Sequence, residues 1–270
     1  RKSVNSFFPF RPPSLSDTKN FINIFSIALT SKNNKAKPMA MTDEQPCPSV
    51  LNKEAISMMQ HGKYDSAVAV LTSALQQLTA YSRRFKDKDC EDETSLPLNF
   101  SICGVHFSAD EGLESKPPHK TSDDRSDSSG RYFVKNPLQI RTNLVLSKET
   151  IQALSYTALF NFALTYHLWG LETANDEHLV RAIKIYKVSH SIISSEGVQA
   201  SSRLFMTLVC NTGHAFFAIG DHFQANKCFH VLLQAVLCIV DGGTHDEKVD
   251  EGFIANVIHL ILTQQACPAA

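Results

Sequence analysis

The stretch from Leu204 to Val240 constrains the fold most strongly, because apolar residues recur at helical spacing on both sides of a short break. Gly220-Asp221 forms the break. The apolar positions are Leu204, Leu208, Thr212, Ala215, Phe216 and Ile219 before it, and Phe223, Ala225, Phe229, Leu232, Val236 and Val240 after it. This pattern predicts two antiparallel helices joined by a tight turn. We expect the small residues Gly213 and Ala225 to lie where the two helices approach closely.

The same pattern occurs in two earlier stretches, with turn glycines at Gly62 and Gly170. In all three stretches a small residue precedes the turn glycine by seven positions. These small residues are Ala55, Ala163 and Gly213. Agreement between separate stretches predicts an internal repeat of helical hairpins. A further apolar pattern after Gly242-Gly243 predicts a last amphipathic helix that caps the stack.

The third hairpin resembles a tetratricopeptide repeat. The residues that carry the resemblance are Asn211, Gly213, Phe216, Gly220, Asp221, Ala225 and Phe229. The resemblance covers about 48–80 and 150–240, roughly half of the chain. The second hairpin departs from the family pattern, because its polar turn, Leu171–His178, is several residues too long. The resemblance implies a mostly α fold of stacked antiparallel helical hairpins, an α-solenoid, that acts as a binding scaffold.

A long insertion interrupts the repeats between the first and second hairpins. Its central part, 108–130, is rich in Asp, Ser, Lys and Pro, which predicts disorder. On either side, Leu98–Phe107 and Arg131–Leu146 contain β-branched and aromatic residues that predict a short β-hairpin. The predicted organisation is a disordered segment at 1–46, a first hairpin at 47–86, the insertion at 87–147, and further hairpins with the capping helix at 148–265. We expect 148–265 to pack with 47–86 as one domain.

The candidate binding residues lie on the first helix of each hairpin, which the resemblance places along the concave groove. They are Asn52, Met59, Asn161, His167, Asn211, His214 and Phe217. An asparagine amide is both donor and acceptor, so Asn161 and Asn211 are suited to hold the backbone of an extended peptide. The alternative for each asparagine is a hydrogen bond that only satisfies a neighbouring helix. The resulting hypothesis is a protein-interaction scaffold that binds a peptide or helix of unknown identity.

The competing hypothesis is a helical enzyme or small-ligand-binding domain with a pocket between hairpins. The sequence contains none of the nucleophile-elbow, phosphate-loop, dinucleotide or zinc-helix motifs, so we expect no catalytic residues and no cofactor. His214, His222 and His230 are evenly spaced, but a turn separates the first from the others, so we expect no metal site. The balance of 26 basic and 27 acidic residues gives no general attraction to nucleic acid.

The first 38 residues decide between two predicted locations. They carry seven basic residues and a lone Asp17, which is typical of a transit peptide for a plastid or mitochondrion. The alternative is that translation starts at Met39 or Met41, in which case the protein is expected in the cytoplasm. We find no run of about 20 apolar residues, so the sequence predicts no transmembrane segment. Seven cysteines without a CxxC pair favour a reducing compartment.

Overall fold

The computed structural model describes residues 46–88, 131–139, 148–195, 202–241 and 251–265. These residues contain seven helices and no strand. The helices are α1 (Pro48–Gln60), α2 (Tyr64–Lys88), α3 (Lys148–Thr173), α4 (Asp176–Ser195), α5 (Ser202–Ala218), α6 (His222–Asp241) and α7 (Glu251–Gln265). The predicted mostly α class is therefore confirmed for the described part of the chain. The expectations for 1–45, for a strand at Leu98–Phe107 and for disorder at 108–130 concern residues outside the described ranges.

The described residues divide into two compact units. Unit 1 contains 46–88, 137–139 and 148–195, with helices α1 to α4. Unit 2 contains 131–136, 202–241 and 251–265, with helices α5 to α7. We refer to residues 131–139 as the linker segment. It contributes residues to both units, and each part is described with the unit to which it belongs.

Unit 1 consists of two helical hairpins, α1/α2 and α3/α4, with α2 packed on α3. The first hairpin turns at Gly62, which has a φ of +68°, as predicted from its position. Glycine adopts this left-handed conformation without the strain that a Cβ would cause. The core is formed by α3, whose buried residues lie around its whole circumference, as expected for a helix enclosed by neighbours. Tyr64 of α2 also bonds Glu172 of α3, and burial together with this carboxylate raises the pKa of Tyr64 to about 12.

The turn between α3 and α4 differs from the sequence prediction. The helix continues past Gly170 to Thr173, and only Ala174 and Asn175 separate it from α4. Gly170 is needed for close packing here, because a Cβ at this position would lie 2.7 Å from Cγ of Leu179. The predicted long polar turn over Leu171–His178 is therefore wrong. The polar residues that suggested a loop instead form the last turn of α3 and the first turn of α4.

Unit 2 consists of the hairpin α5/α6, with α7 packed on α6. Gly220 at the predicted turn has a φ of +79°. Gly213 lies at the predicted close contact, since a Cβ there would come within 3.0 Å of both Cys228 and Phe229. The predicted final helix is present as α7, which buries Phe253, Val257 and Leu260.

Helix α6 is long and apolar enough to cross a bilayer over His222–Val240, and no other helix in the described ranges passes that test of length and composition. Core helices of soluble proteins pass the same test, so the absence of a transmembrane segment stays a prediction.

Several apolar side chains on α6 and α7 are exposed. They are Phe223, Leu237, Val240, Ile254, Ile258, Ile261 and Leu262.

The strand predicted over Arg131–Leu146 does not form in its described part. Residues 131–139 contain neither helix nor strand. The physical reason is that the backbone N–H and C=O groups of Tyr132, Val134 and Leu138 bond to side chains of the helices, so they are not available to a neighbouring strand. The remainder of the predicted strand, 140–146, lies outside the described residues.

Candidate functional site: asparagines that bind the linker segment

In unit 1, Asn161 of α3 binds both backbone groups of Leu138. The Leu138 N–H donates to Asn161 Oδ1 at 2.8 Å, and Asn161 Nδ2 donates to the Leu138 carbonyl at 2.8 Å. Asn161 is fully buried, and Leu138 is 9% exposed. Since a backbone N–H needs an acceptor and a carbonyl needs a donor, the two bonds fix the orientation of the amide.

Asn52 of α1 completes this arrangement. The second hydrogen of Asn161 Nδ2 goes to Asn52 Oδ1 at 2.9 Å, and Asn52 Nδ2 donates to the Leu138 carbonyl at 3.3 Å. The two asparagines therefore form one network around a single residue of the linker segment. Every hydrogen-bonding atom of the Asn161 amide has a good partner, which is the condition under which a buried polar group is stable.

In unit 2, Asn211 of α5 repeats the same pattern on Val134. The Val134 N–H donates to Asn211 Oδ1 at 2.8 Å, and Asn211 Nδ2 donates to the Val134 carbonyl at 3.0 Å. Asn256 of α7 does the same for Tyr132, with distances of 2.9 Å from the N–H and 2.7 Å to the carbonyl. Cys210 also donates to the Tyr132 carbonyl at 3.4 Å.

This bonding pattern imitates a β-sheet without a second strand. In an antiparallel pair, one residue exchanges both its N–H and its C=O bonds with the residue opposite, and successive bonded residues are two apart. Tyr132 and Val134 of unit 2 have this spacing. Each asparagine amide supplies the acceptor and the donor that an opposite residue would supply. The asparagines thus recognise backbone, whatever side chain that residue carries.

Two side chains of the linker segment in unit 2 are buried against aromatic and imidazole rings of the helices. The Arg131 guanidinium carbon lies 5.0 Å from the ring centre of Phe217 and 4.8 Å from that of Phe229, within the range of a cation–π interaction. The ring centre of Phe133 lies 4.2 Å from the ring centre of His214. Arg131 is 7% exposed and Phe133 is 4% exposed.

Burial in this part of unit 2 affects the titration of two groups. Burial lowers the pKa of the Arg131 guanidinium, which stays a cation at neutral pH because its ordinary pKa is far higher. Burial, followed by the positive charge of Arg131, lowers the pKa of His259 on α7. Burial is the largest cause of both shifts.

Tyr132 rests on a position where only glycine leaves enough room. A Cβ built on Gly252, in the first turn of α7, would lie 2.4 Å from three atoms of the Tyr132 ring. The ring also meets Phe253 edge-on, with 6.0 Å between the ring centres. The absence of a side chain at Gly252 therefore allows Tyr132 to reach Asn256.

Five of the seven predicted site residues contact the linker segment. Asn52 and Asn161 bond Leu138 in unit 1, and in unit 2 Asn211 bonds Val134, His214 faces Phe133 and Phe217 faces Arg131. The structure places the other two in the core of unit 1. Met59 is 4% exposed, and His167 is fully buried beside the Tyr186 hydroxyl at 3.4 Å.

Asn256 is a binding residue that the sequence analysis does not identify, because the apolar pattern of α7 predicts only a capping helix. A signal was present, since asparagine is a poor helix former and here stands between apolar residues in mid-helix. Asn161 also stands between apolar residues in mid-helix, and Asn211 is likewise in mid-helix, between Cys210 and Thr212. The linker segment itself was missed as the occupant, because its aromatic and β-branched residues favoured a strand.

Comparison with known proteins does not extend this description. No family model, curated protein or solved structure matches the chain. In the described ranges, no group of three or more His, Cys, Asp or Glu side chains is placed to hold a metal ion.

Proposed function

We propose that the protein is an interaction scaffold that binds the backbone of an extended peptide through buried asparagines. The helical hairpins are, in this proposal, divergent tetratricopeptide-like repeats. The observation that carries the proposal is that Asn161, Asn211 and Asn256 each bond both backbone groups of one residue. Peptide-binding proteins obtain affinity from main-chain bonds of this kind, and specificity from pockets for the side chains.

Two further observations support the fold assigned in this proposal. The hairpins α1/α2 and α5/α6 both turn at a glycine with positive φ. In each hairpin, the small residue that precedes the turn glycine by seven positions lies in the core. Ala55 is fully buried, and Gly213 is packed against Phe229. Shared turns and shared close contacts are expected of one repeated unit.

The partner is, accordingly, a protein segment without regular structure. Helices and the inner strands of a sheet use their own backbone groups, whereas an extended or irregular segment has both the N–H and the C=O of one residue free for an asparagine. Binding requires that the linker segment leave at least one unit. We therefore test the proposal in a chain whose own segment is weakened.

The experiment uses the full chain with Arg131→Ser, Tyr132→Ser and Phe133→Ser, which we call the triple-serine chain. A randomised peptide library is selected on it, and the affinity of selected peptides is measured by fluorescence anisotropy. Adding Asn211→Ala or Asn256→Ala removes two hydrogen bonds, so we expect binding to weaken by about 1–3 kcal/mol. The matched control is Asn226→Ala, the same substitution on α6.

The two outcomes are distinct. Peptides that lose affinity with the two site variants and keep it with Asn226→Ala support the proposal. If no library peptide binds the triple-serine chain, or if bound peptides are indifferent to all three alanine substitutions, the proposed function is wrong.

A further inference from the structure

We infer that residues 131–134 are an internal ligand, which occupies unit 2 in place of a partner peptide that carries an arginine followed two residues later by an aromatic residue. This inference rests on the proposed function and names the class of partner. The arginine fits the aromatic pair formed by Phe217 and Phe229, and the aromatic residue fits against His214.

Arg131 is buried between two aromatic rings, as a ligand cation is in an aromatic binding site. Arginine is rarely so deeply buried in a protein core, because the charge loses its hydration. Here the lost hydration is offset by two aromatic faces at 5.0 and 4.8 Å. Lysine would fit less well, since its compact charge is more strongly hydrated and it cannot stack as a plane on a ring.

The contacts of unit 2 divide between backbone and side chains in the way that a peptide site requires. Tyr132 and Val134 are held by their backbone groups, and both side chains are half-buried. Arg131 and Phe133, which alternate with them, have buried side chains. The site thus specifies the side chains of Arg131 and Phe133 and leaves those of Tyr132 and Val134 less constrained, apart from the room that Gly252 leaves for Tyr132.

The next residues show where this specificity ends. Lys135 and Asn136 are exposed. Lys135 and Arg131 carry the same charge four residues apart, but only Arg131 is buried. The Lys135 ammonium lies 5.4 Å from the ring centre of Phe133, a residue of the segment itself, whereas Arg131 contacts rings of the helices α5 and α6. A comparison of the two cations therefore tests the contribution of the helix-borne aromatic pair.

Because the internal ligand is part of the same chain, it competes at a high effective concentration with any peptide in solution. A partner peptide is expected to bind weakly while residues 131–134 remain in place. Loosening of the segment, by a change within it or by a stronger partner, exposes the same asparagines and the same aromatic pair.

The experiment measures binding of a fluorescent nonapeptide with the sequence of residues 131–139. We expect it to bind the triple-serine chain at least about tenfold more tightly than the unaltered chain, in which the internal copy competes. Replacing the peptide arginine by glutamine should weaken binding about tenfold, whereas the same replacement of its lysine should change it less than twofold. Phe217→Leu in the triple-serine chain should weaken binding of the peptide with arginine and leave binding of the peptide with glutamine unchanged.

Failure of this inference and failure of the proposed function give different results. If library peptides bind in an asparagine-dependent way but show no preference for the arginine, the inference is overturned while the proposed function stands. If the nonapeptide binds the unaltered and triple-serine chains equally, the segment is no competitor and the inference is also overturned. A triple-serine chain that loses its helicity should regain it when the nonapeptide is added, and failure to regain it counts against the inference.

Discussion

The contact between Gly252 and Tyr132 gives the sharpest test of how the linker segment is held in unit 2. A methyl group at residue 252 would lie 2.4 Å from the Tyr132 ring, whereas carbon atoms in contact are about 3.5–4.0 Å apart. With Gly252→Ala, the ring therefore has to move by more than about 1 Å. The movement disturbs the edge contact with Phe253 and the two backbone bonds to Asn256.

The expected loss of stability follows from these contacts. Each hydrogen bond contributes about 0.5–1.5 kcal/mol, and the aromatic edge contact contributes a similar amount. The methyl group also has a favourable effect, because alanine is less flexible than glycine in the unfolded chain by about 0.4–1 kcal/mol. If most of the contacts are weakened, the net destabilisation by Gly252→Ala is about 1–3 kcal/mol.

A double-mutant cycle with Tyr132→Ala separates the clash from the effect of alanine on the helix. In the chain that already lacks the tyrosine ring, Gly252→Ala has no ring to displace, so it should be neutral or stabilising by up to about 1 kcal/mol. The coupling free energy between the two positions should then exceed about 1 kcal/mol. Urea unfolding followed by far-ultraviolet circular dichroism measures all four chains.

Additive effects would refute the reasoning. If Gly252→Ala costs the same free energy with and without the tyrosine ring, the ring does not rest on Gly252, and the binding geometry described for Tyr132 and Asn256 is wrong.

Three other predictions concern unit 1. Asn161→Ala leaves the Leu138 N–H without its asparagine acceptor and the Leu138 carbonyl with only the longer bond from Asn52, and it should lower the free energy of unfolding by roughly 2–4 kcal/mol in a urea titration. The fluorescence of Trp169, the single tryptophan, should fall as the stacked His178 is protonated, with a midpoint below pH 6.5 because burial and then Arg181 lower the pKa of His178. Burial lowers the pKa of His190 to about 4, so the unfolded chain binds more protons between pH 4 and 6.5, and stability should decrease by up to about 3 kcal/mol as the pH falls through that window.

Each of these predictions has its own control. Gln76→Ala, at an exposed position on α2, should leave the urea midpoint unchanged, and an equally small effect of Asn161→Ala would contradict the bonding around Leu138. His178→Gln should abolish the fluorescence step, and persistence of the step would assign the quenching to another group. His190→Gln should reduce the pH dependence of stability. Equal pH dependence in this variant and in the unaltered chain would rule out His190 as its source.

The sequence predicted most helices and two of the three turns, because the evidence for them is local. Apolar spacing marks the buried face of a helix, and a glycine with positive φ ends it, as at Gly62 and Gly220. The same reasoning predicted a turn at Gly170, and this prediction was wrong. There glycine is required by the closeness of Leu179, and the helix continues through it.

The sequence predicted that Asn161 and Asn211 hold the backbone of a partner peptide, whereas the backbone that they bind in the structure belongs to the chain's own linker segment. Side-chain chemistry shows that a buried asparagine suits a peptide backbone. Which backbone arrives depends on contacts between positions far apart in sequence, such as Asn256 and Tyr132, 124 residues apart. Local patterns contain no information about such distances, and the aromatic residues of 131–134 are equally typical of a strand.

Recognition through the main chain has a consequence for which amino acids the linker segment tolerates. Pro137 lies next to Leu138, yet proline at residue 132, 134 or 138 would remove an N–H that an asparagine accepts. Tolerance to substitution along the segment should therefore depend on whether the new residue keeps its backbone N–H, as well as on the size of its side chain. A scan with N-methylated residues in the nonapeptide would reveal the bonded positions as those where a single methyl group on nitrogen weakens binding.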